Sequence, residues 1–129
     1  MTARVRQATR EDLVAVLNVL DGAALETDYE AIRARLERGD VLVAVAENDS
    51  DRVLAACELD GERVVAIAVR KRRRGQGIGT ALIRAAVRDR NRLVAEFDAD
   101  ARPFYEALGF GVTQIDGGRY EGVLERIGD

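Results

Sequence analysis

The sequence predicts one α/β domain with a mixed, largely antiparallel sheet of six to seven strands and about four helices. After a weak first strand come two amphipathic helical segments and three consecutive strand-like runs, and one longer helix then separates those runs from the remaining strands. The chain has 129 residues with no linker-like composition change, so residues 1–129 are expected to form a single domain.

Apolar spacing predicts the first two helices. Residues 4–8 form a first strand, after which Thr9 and Asp12 make a cap pattern. The apolar face of the first helix is Leu13, Val16, Leu17 and Leu20. Thr27 begins the second helix and Gly39 ends it. Its apolar face is Tyr29, Ile32 and Leu36.

Strands and turns account for most of the remaining chain. The strand-like runs are residues 41–47, 52–59 and 62–69, joined by hairpin turns at 48–51 and 60–61. A helix over 77–90 follows, with Ile78, Leu82, Ala85 and Ala86 on one face. The chain closes with a strand at 93–97, a short helix at 102–108, and strands at 112–115 and 119–127 around a glycine turn.

The segment from Val64 to Gly79 reads VVAIAVRKRRRGQGIG and carries the strongest functional signal. Missing side chains at Gly75, Gly77 and Gly79 let a ligand approach the backbone, and the first N–H groups of the next helix lack intrahelical partners. The positive helix end and the flanking guanidinium groups add to these donors. This pattern predicts a site for a phosphate or pyrophosphate group.

Composition excludes several classes of function. The chain has no histidine and one cysteine, Cys57, so neither an imidazole base nor a metal site is expected, and Cys57 is interpreted as a core residue. Residues 70–74 carry five positive charges in a chain of net charge −3, which favours a compact polyanion over nucleic acid, with a solvated charge run as the alternative. Without an apolar membrane span or signal-peptide core, we expect no membrane partner and a cytoplasmic protein.

Two motifs, in this element order, resemble the GNAT superfamily of acyl-CoA-dependent N-acetyltransferases. RGQGIG at residues 74–79 matches the family signature Q/R-x-x-G-x-G/A between the fourth strand and the third helix. DADARPFYEALGF at residues 98–110 is similar to the family segment N-x-x-A-x-x-x-Y-x-x-x-G-F, although Asp98 stands where the family generally has asparagine. The resemblance covers almost the whole chain and implies acetyl transfer from acetyl-CoA to a primary amine in a ternary complex.

The resemblance also implies roles for individual residues. The pyrophosphate of acetyl-CoA would be held by Arg74, Gly75, Gln76, Gly77, Ile78, Gly79 and Thr80. The pantetheine arm would pair with Ile67, Ala68 and Val69, in a strand that a bulge splays from its neighbour. The Val69 amide would stabilise the oxyanion, and Tyr105 would protonate the departing sulfur.

The acceptor and the base are not identified by these motifs. Candidates for the base are Glu26, Tyr29, Glu58 and Glu96, each also explained as a surface or structural group, and water could serve instead. The resemblance places the pocket for a small-molecule or peptide amine at residues 21–26, the start of the second helix and the final turn at Gly117. Glu26 and Asp28 suggest a cationic acceptor.

Two other functions fit parts of the sequence. The glycine turn could be a dinucleotide fingerprint, but its G-x-G-x-G spacing and its position after antiparallel hairpins argue against a doubly wound sheet. The same acetyltransferase-like fold could instead serve as a non-catalytic acyl-CoA sensor or interaction module. A homodimer through the closing strands is an open alternative.

Overall fold

The computed structural model describes residues 3–21, 29–47 and 52–126. Its strands are β1 (Ala3–Gln7), β2 (Val41–Ala46), β3 (Val53–Asp60), β4 (Arg63–Val69), β5 (Arg92–Asp98), β6 (Gly111–Asp116) and β7 (Arg119–Glu125). Its helices are α1 (Leu13–Asp21), α2 (Tyr29–Arg38), α3 (Ile78–Arg88) and α4 (Arg102–Ala107). The segment 21–26 was predicted to break the helix pattern, but Asp21 is the last residue of α1. Residues 22–26, the Thr27 cap, the turn at 48–51 and the last predicted strand residue, 127, lie outside the described residues.

All seven strands belong to one sheet, in the order β1-β2-β3-β4-β5-β7-β6. Every neighbouring pair is antiparallel except β4 and β5, which are parallel because α3 forms the crossover between them. This arrangement confirms the predicted fold class. None of the helices in the described ranges has the length and apolar character of a membrane-spanning segment.

Local signals explain where the first helices begin and end. The backbone N–H of Thr9 donates to Asp12 Oδ2 at 2.8 Å, while the Asp12 N–H donates to the Thr9 carbonyl at 2.9 Å. The predicted cap therefore forms, with a short 3-10 turn at Arg10–Asp12 before α1. Gly39 ends α2 with φ of +81°, a conformation that other residues adopt only with strain.

Two apolar clusters lie on opposite faces of the sheet. α1 and α2 cover β2, β3 and β4 on one face, where Val16, Leu20 and Ile32 are buried. α3 and α4 cover the other face, where Leu82, Phe97 and Tyr105 belong to a cluster that extends from β2 to β5. Ile83 is fully buried in this cluster, whereas Ala85 is only partly buried. The buried face of α3 is therefore rotated slightly from the predicted face.

A hub of ion pairs ties α3 to one end of the sheet. Arg90, just beyond α3, donates to Asp40 Oδ1 at 2.9 Å, to the Gly61 carbonyl at 2.8 Å and to the Ala86 carbonyl at 3.1 Å. Arg38 and the Gly61 N–H also bind the Asp40 carboxylate. The hub lies beside the β3–β4 turn, at the end where β4 and β5 pair.

Candidate functional site

The alternation of side chains between the two faces of the sheet is interrupted partway along β4. The β3–β4 register shifts between Glu58 and Leu59, which leaves Val65 of β4 as the extra, bulged residue. Val64 packs in the α3-side cluster whereas Ala66 packs in the α1-side cluster. Without a bulge, residues two apart would share a face. The bulge therefore places residues 66–69 on the sides of the sheet opposite to those that regular alternation from Val64 would give.

Beyond this bulge, β4 and β5 diverge. They are paired only at Arg63↔Val94 and Val64↔Ala95, and the Val94 N–H donates to the Glu62 carbonyl at 2.8 Å. Residues 66–69 have a partner strand on the β3 side alone. A cleft therefore opens in the sheet, as the family resemblance implies.

Alternation in the β3–β4 ladder shows which backbone groups face this cleft. The Arg70 N–H donates to the Leu54 carbonyl at 2.9 Å, so Ala68 and Ala56 form the next hydrogen-bonded pair. The backbone groups of Ile67 and Val69 consequently point away from β3 into the cleft. The Val69 carbonyl accepts a hydrogen bond from Arg74 Nε at 3.1 Å. The Val69 N–H remains available to a ligand.

The glycine turn lies at the open end of the cleft. Gly75 and Gly77 have φ of +78° and +82°, and a methyl group built on either would meet nothing within 4 Å. The first intrahelical bond of α3 is from the Ala81 N–H to the Gly77 carbonyl, so the N–H groups of residues 78–80 precede it. No side chain caps this helix end. Open backbone donors at a helix start form an anion-binding arrangement.

Gly79 has a different role from the two glycines before it. A methyl group there would approach Phe104 Cε1 at 3.3 Å and Val69 Cγ2 at 3.8 Å. Gly79 thus allows α3, α4 and β4 to pack closely, which differs from the predicted role of giving a ligand access to the backbone.

A space of about 290 Å³ is lined by Ile67, Ala68, Val69, Arg74, Gly79 and Phe104. The structure therefore brings five of the predicted site residues together. Ala68 lines this space although its backbone groups are bonded to β3. Gln76, Ile78 and Thr80 lie along the adjoining turn and first helical turn.

Phe104 is a site residue that sequence reasoning missed. Its position directly before Tyr105, just after the proline that begins α4, is the signal that could have found it.

Aromatic rings hold Tyr105 under the cleft. Its ring stacks on Phe97 at 4.3 Å and meets Phe104 and Phe110 edge-on, each at 5.0 Å. Within the described residues, every fully buried side-chain N or O atom has a hydrogen-bond partner. The Tyr105 hydroxyl has no hydrogen-bond partner among these residues. That hydroxyl therefore retains contact with solvent even though the residue is only 5% exposed.

Burial raises the pKa of Tyr105 to about 12, with a smaller contribution from nearby Cys57. Burial also raises the pKa of the Cys57 thiol to about 12. The phenol is therefore a proton donor, not a base, at neutral pH. Cys57 is fully buried in the α3-side cluster, which confirms its interpretation as a core residue.

The structure separates the candidates for the general base. Arg35 and Glu58 form an ion pair in which only 7% of the Glu58 side chain is exposed, so Glu58 is held between β3 and α2. Tyr29 is 48% exposed at the start of α2. Glu96 directly follows the last β5 residue paired with β4, and its Oε2 lies 3.6 Å from Arg63 Nη2. Glu26 and Asp28 lie outside the described residues.

Comparisons with known proteins agree with this architecture. Comparison with curated proteins gave no significant match. A solved GNAT-family acetyltransferase of Bacillus cereus is 15% identical, with a TM-score of 0.76 over 98% of this chain and 97% of its own. The PaiA N-acetyltransferase of Thermoplasma acidophilum, solved with coenzyme A, is 15% identical, with a TM-score of 0.74 over 98% and 100%.

A third solved structure is the ribosomal-protein-S18-alanine N-acetyltransferase of Escherichia coli. It is 17% identical, with a TM-score of 0.72 over 99% of this chain and 97% of its own. At these identities the likeness establishes a shared fold. A family model described as an acetyltransferase (GNAT) domain matches residues 38–112, which include the bulged strand, the glycine turn and Tyr105. With more than half of its length matched by that model, the chain belongs to the GNAT family.

Proposed function

We propose that this protein transfers the acetyl group of acetyl-CoA to a primary amine by direct attack in a ternary complex. The single observation that carries the proposal is the divergence of β4 from β5 beside an uncapped helix start. It places strand-type backbone donors and an anion-binding turn along one cleft. An elongated ligand with an amide-containing arm and a diphosphate matches both parts.

The diphosphate would bind the turn before α3. Arg74 and the N–H groups of Gly75, Gln76, Gly77, Ile78, Gly79 and Thr80 are the proposed donors. The arm would then extend along Ile67, Ala68 and Val69, where the free backbone groups of Ile67 and Val69 can bond its amides as a neighbouring strand would. Coenzyme A in the solved Thermoplasma relative supports this choice of ligand.

The Val69 N–H is the proposed oxyanion donor. It points into the cleft, and the adjacent carbonyl group is fixed by Arg74. As the amine nitrogen attacks the thioester carbon, a C–N bond forms and the carbonyl oxygen gains negative charge, which a fixed N–H stabilises without reorganisation. Collapse of this intermediate breaks the C–S bond.

Tyr105 is the proposed donor to the departing sulfur. A phenol of pKa about 12 is a poorer acid than a free phenol. An ordinary thiol has a pKa of about 8.5, so this phenol can donate efficiently only to a thiolate that is poorly solvated. The apolar lining of the cleft, with Ile67, Val69 and Phe104, would provide such surroundings.

The amine must lose a proton before or during attack. For an alkyl ammonium with a pKa near 10.4 this costs roughly 4 to 5 kcal/mol at pH 7. Among the described candidates, we favour Glu96 as the acceptor of this proton, directly or through water. Glu96 lies where β4 and β5 separate. The next residue, Phe97, faces Tyr105, so the Glu96 side chain lies on the other side of the sheet from the proposed acid.

Calorimetric titration with acetyl-CoA, CoA and NADH tests the ligand, and thiol release with a panel of amines tests turnover. Gly77→Asp places a carboxylate in the turn and should weaken acetyl-CoA binding at least about tenfold, by charge repulsion and by the strain of a side chain at φ of +82°. Gly118→Asp adds the same charge at the β6–β7 turn and should leave binding within about twofold.

Binding without thiol release from any amine would favour the acyl-CoA sensor. Preference for NADH, or equal binding by both variants, would refute the proposed site.

A further inference from the structure

A second cavity lies on the opposite side of the basic run from the glycine turn. It measures about 550 Å³ and is lined by Asn18, Val19, Arg52, Leu54, Val69, Arg70, Lys71, Arg72, Arg73 and Arg74. None of the residues 75–80 lines it. The only residues it shares with the cleft are Val69 and Arg74. The basic run therefore separates two spaces, one next to α3 and one next to α1.

Basic side chains dominate the lining that the structure describes. Six of the ten described lining residues are arginine or lysine and none of these ten is aspartate or glutamate, in a protein whose net charge is −3. Some arginines elsewhere in the fold meet carboxylates, such as Arg35 with Glu58 and Arg90 with Asp40. Within the described residues, Arg52, Arg70 and Arg72 form no such ion pair. Repulsion among these charges is relieved when an anion binds between them.

The backbone fixes one of these guanidinium groups in place. Arg70 Nε donates to the Val53 carbonyl at 2.7 Å, and the Arg70 backbone N–H donates to Leu54. The remaining guanidinium donors of this half-buried residue have no acceptor in the described part of the protein. Several guanidinium groups around one cavity suit the three oxygens of a phosphate monoester, because each group can donate two parallel hydrogen bonds.

We propose that this α1-side cavity binds a phosphate monoester through Arg52, Arg70 and Arg72. The phosphate has two chemically equivalent sources: the ribose phosphate of coenzyme A bound in the cleft, or a separate small phosphorylated molecule. Val19 and Leu54 provide apolar surface for the organic part of either one. The site is separate from the proposed diphosphate turn, so its occupancy can be measured without turnover.

Titration of the ¹⁵N-labelled protein with inorganic phosphate, followed by NMR, tests the site. We expect saturable shifts at the amides of Asn18, Val19 and Leu54. The double variant R52Q/R72Q should weaken phosphate binding at least about tenfold, since two charge-assisted contacts are lost. The control R84Q/R88Q removes the same charge from α3, away from the cavity, and should stay within about twofold of the unmodified protein.

Parallel titrations with CoA and dephospho-CoA separate the two sources. If the coenzyme supplies the phosphate, CoA binds more tightly than dephospho-CoA, and R52Q/R72Q abolishes the difference. If the phosphate is separate, the two coenzymes bind equally, and inorganic phosphate still shifts Asn18 and Val19 in the coenzyme-saturated protein.

Shifts confined to residues 75–80, or equal phosphate affinity of the two double variants, would overturn the cavity proposal while leaving the proposed function intact. Failure of acetyl-CoA to bind, with the cavity shifts present, would overturn the proposed function while leaving the cavity proposal intact.

Discussion

The hydroxyl of Tyr105 combines two properties that seldom occur together. Phe97, Phe104 and Phe110 fix its ring, while its oxygen keeps access to solvent. Rings that fix a phenol without hydrogen-bonding it leave its proton available for transfer. The sequence predicted Tyr105 through a family motif. Its high pKa follows from burial, and the motif does not show how deeply the folded chain buries this side chain.

Tyr105→Phe should lower kcat at least about tenfold, because the proton donor is lost while the stacked ring remains. The affinity for acetyl-CoA should stay within about threefold, since the hydroxyl serves the reaction and not ground-state binding. Steady-state kinetics and calorimetry measure the two effects. Tyr120→Phe, whose ring also stacks on Phe97, is the matched control and should keep kcat. An unchanged kcat in Tyr105→Phe would remove Tyr105 from the mechanism.

Asp40 has a structural role at the opposite end of the sheet from the cleft. Burial alone would raise the pKa of Asp40, but hydrogen bonds from Gly61, Arg90 and Arg38 outweigh burial and hold the pKa below 3.8. The Asp40–Arg90 pair spans 50 residues in sequence, so it could not be predicted without the structure.

Asp40→Asn should reduce the free energy of unfolding at pH 7 by about 1 to 3 kcal/mol, because the half-buried Arg90 loses its carboxylate. Since the folded-state pKa of Asp40 is lowered, its contribution is present above the unfolded pKa near 3.8 and is lost as pH falls through the folded pKa.

Urea unfolding of both proteins between pH 7 and pH 2 measures the difference, which should disappear at the acid end. Asp60→Asn, a control at a 57% exposed carboxylate, should change stability by less than about 0.5 kcal/mol. A difference that persists at pH 2 would contradict the assigned role of the Asp40 charge.

β4 is the element whose geometry creates the cleft. The sequence predicted its position within one residue, since the flanking turn and the apolar run are local signals. It could not fix the side of each residue, because residues 64–69 are all small or apolar and fit either face.

Amide exchange should alternate along β4. The N–H groups of Ile67 and Val69 face the cleft and should exchange at least about tenfold faster than that of Ala68, which is bonded to β3. Saturation with acetyl-CoA should slow Ile67 and Val69 selectively. Residue-resolved hydrogen exchange by NMR measures both effects, with Ala56 of β3 as internal reference. Uniform protection along residues 67–69 in the free protein would contradict the assigned backbone orientation.

At the scale of the whole molecule, the cleft divides the sheet into two parts. β1 to β4 form one part and β5, β7 and β6 the other, joined by two residue pairs of the β4–β5 ladder and by the α3-side cluster. The family motif and the order of elements predicted this architecture. The contacts that join the parts, such as Phe104 against Gly79, depend on tertiary packing.

Phe97 contributes to this junction by stacking on both Tyr105 and Tyr120. Phe97→Ala should lower the free energy of unfolding by about 3 to 5 kcal/mol, because a 5% exposed ring between Tyr105 and Tyr120 is removed. The control Ile115→Ala, at a 47% exposed edge position, should cost less than about 1 kcal/mol. Chemical denaturation measures both, and a similar loss in the two variants would contradict the importance of the α3-side cluster.

The bulge at Val65 gives β4 one residue more than the facing part of β3. Deleting this valine would still leave Ala66 opposite Glu58 and Ala68 opposite Ala56, so residues 66 to 69 would keep their sides of the sheet. The deletion would instead remove the local bend that turns β4 away from β5. Loss of this one residue should therefore close the cleft while leaving the packing of the strand intact.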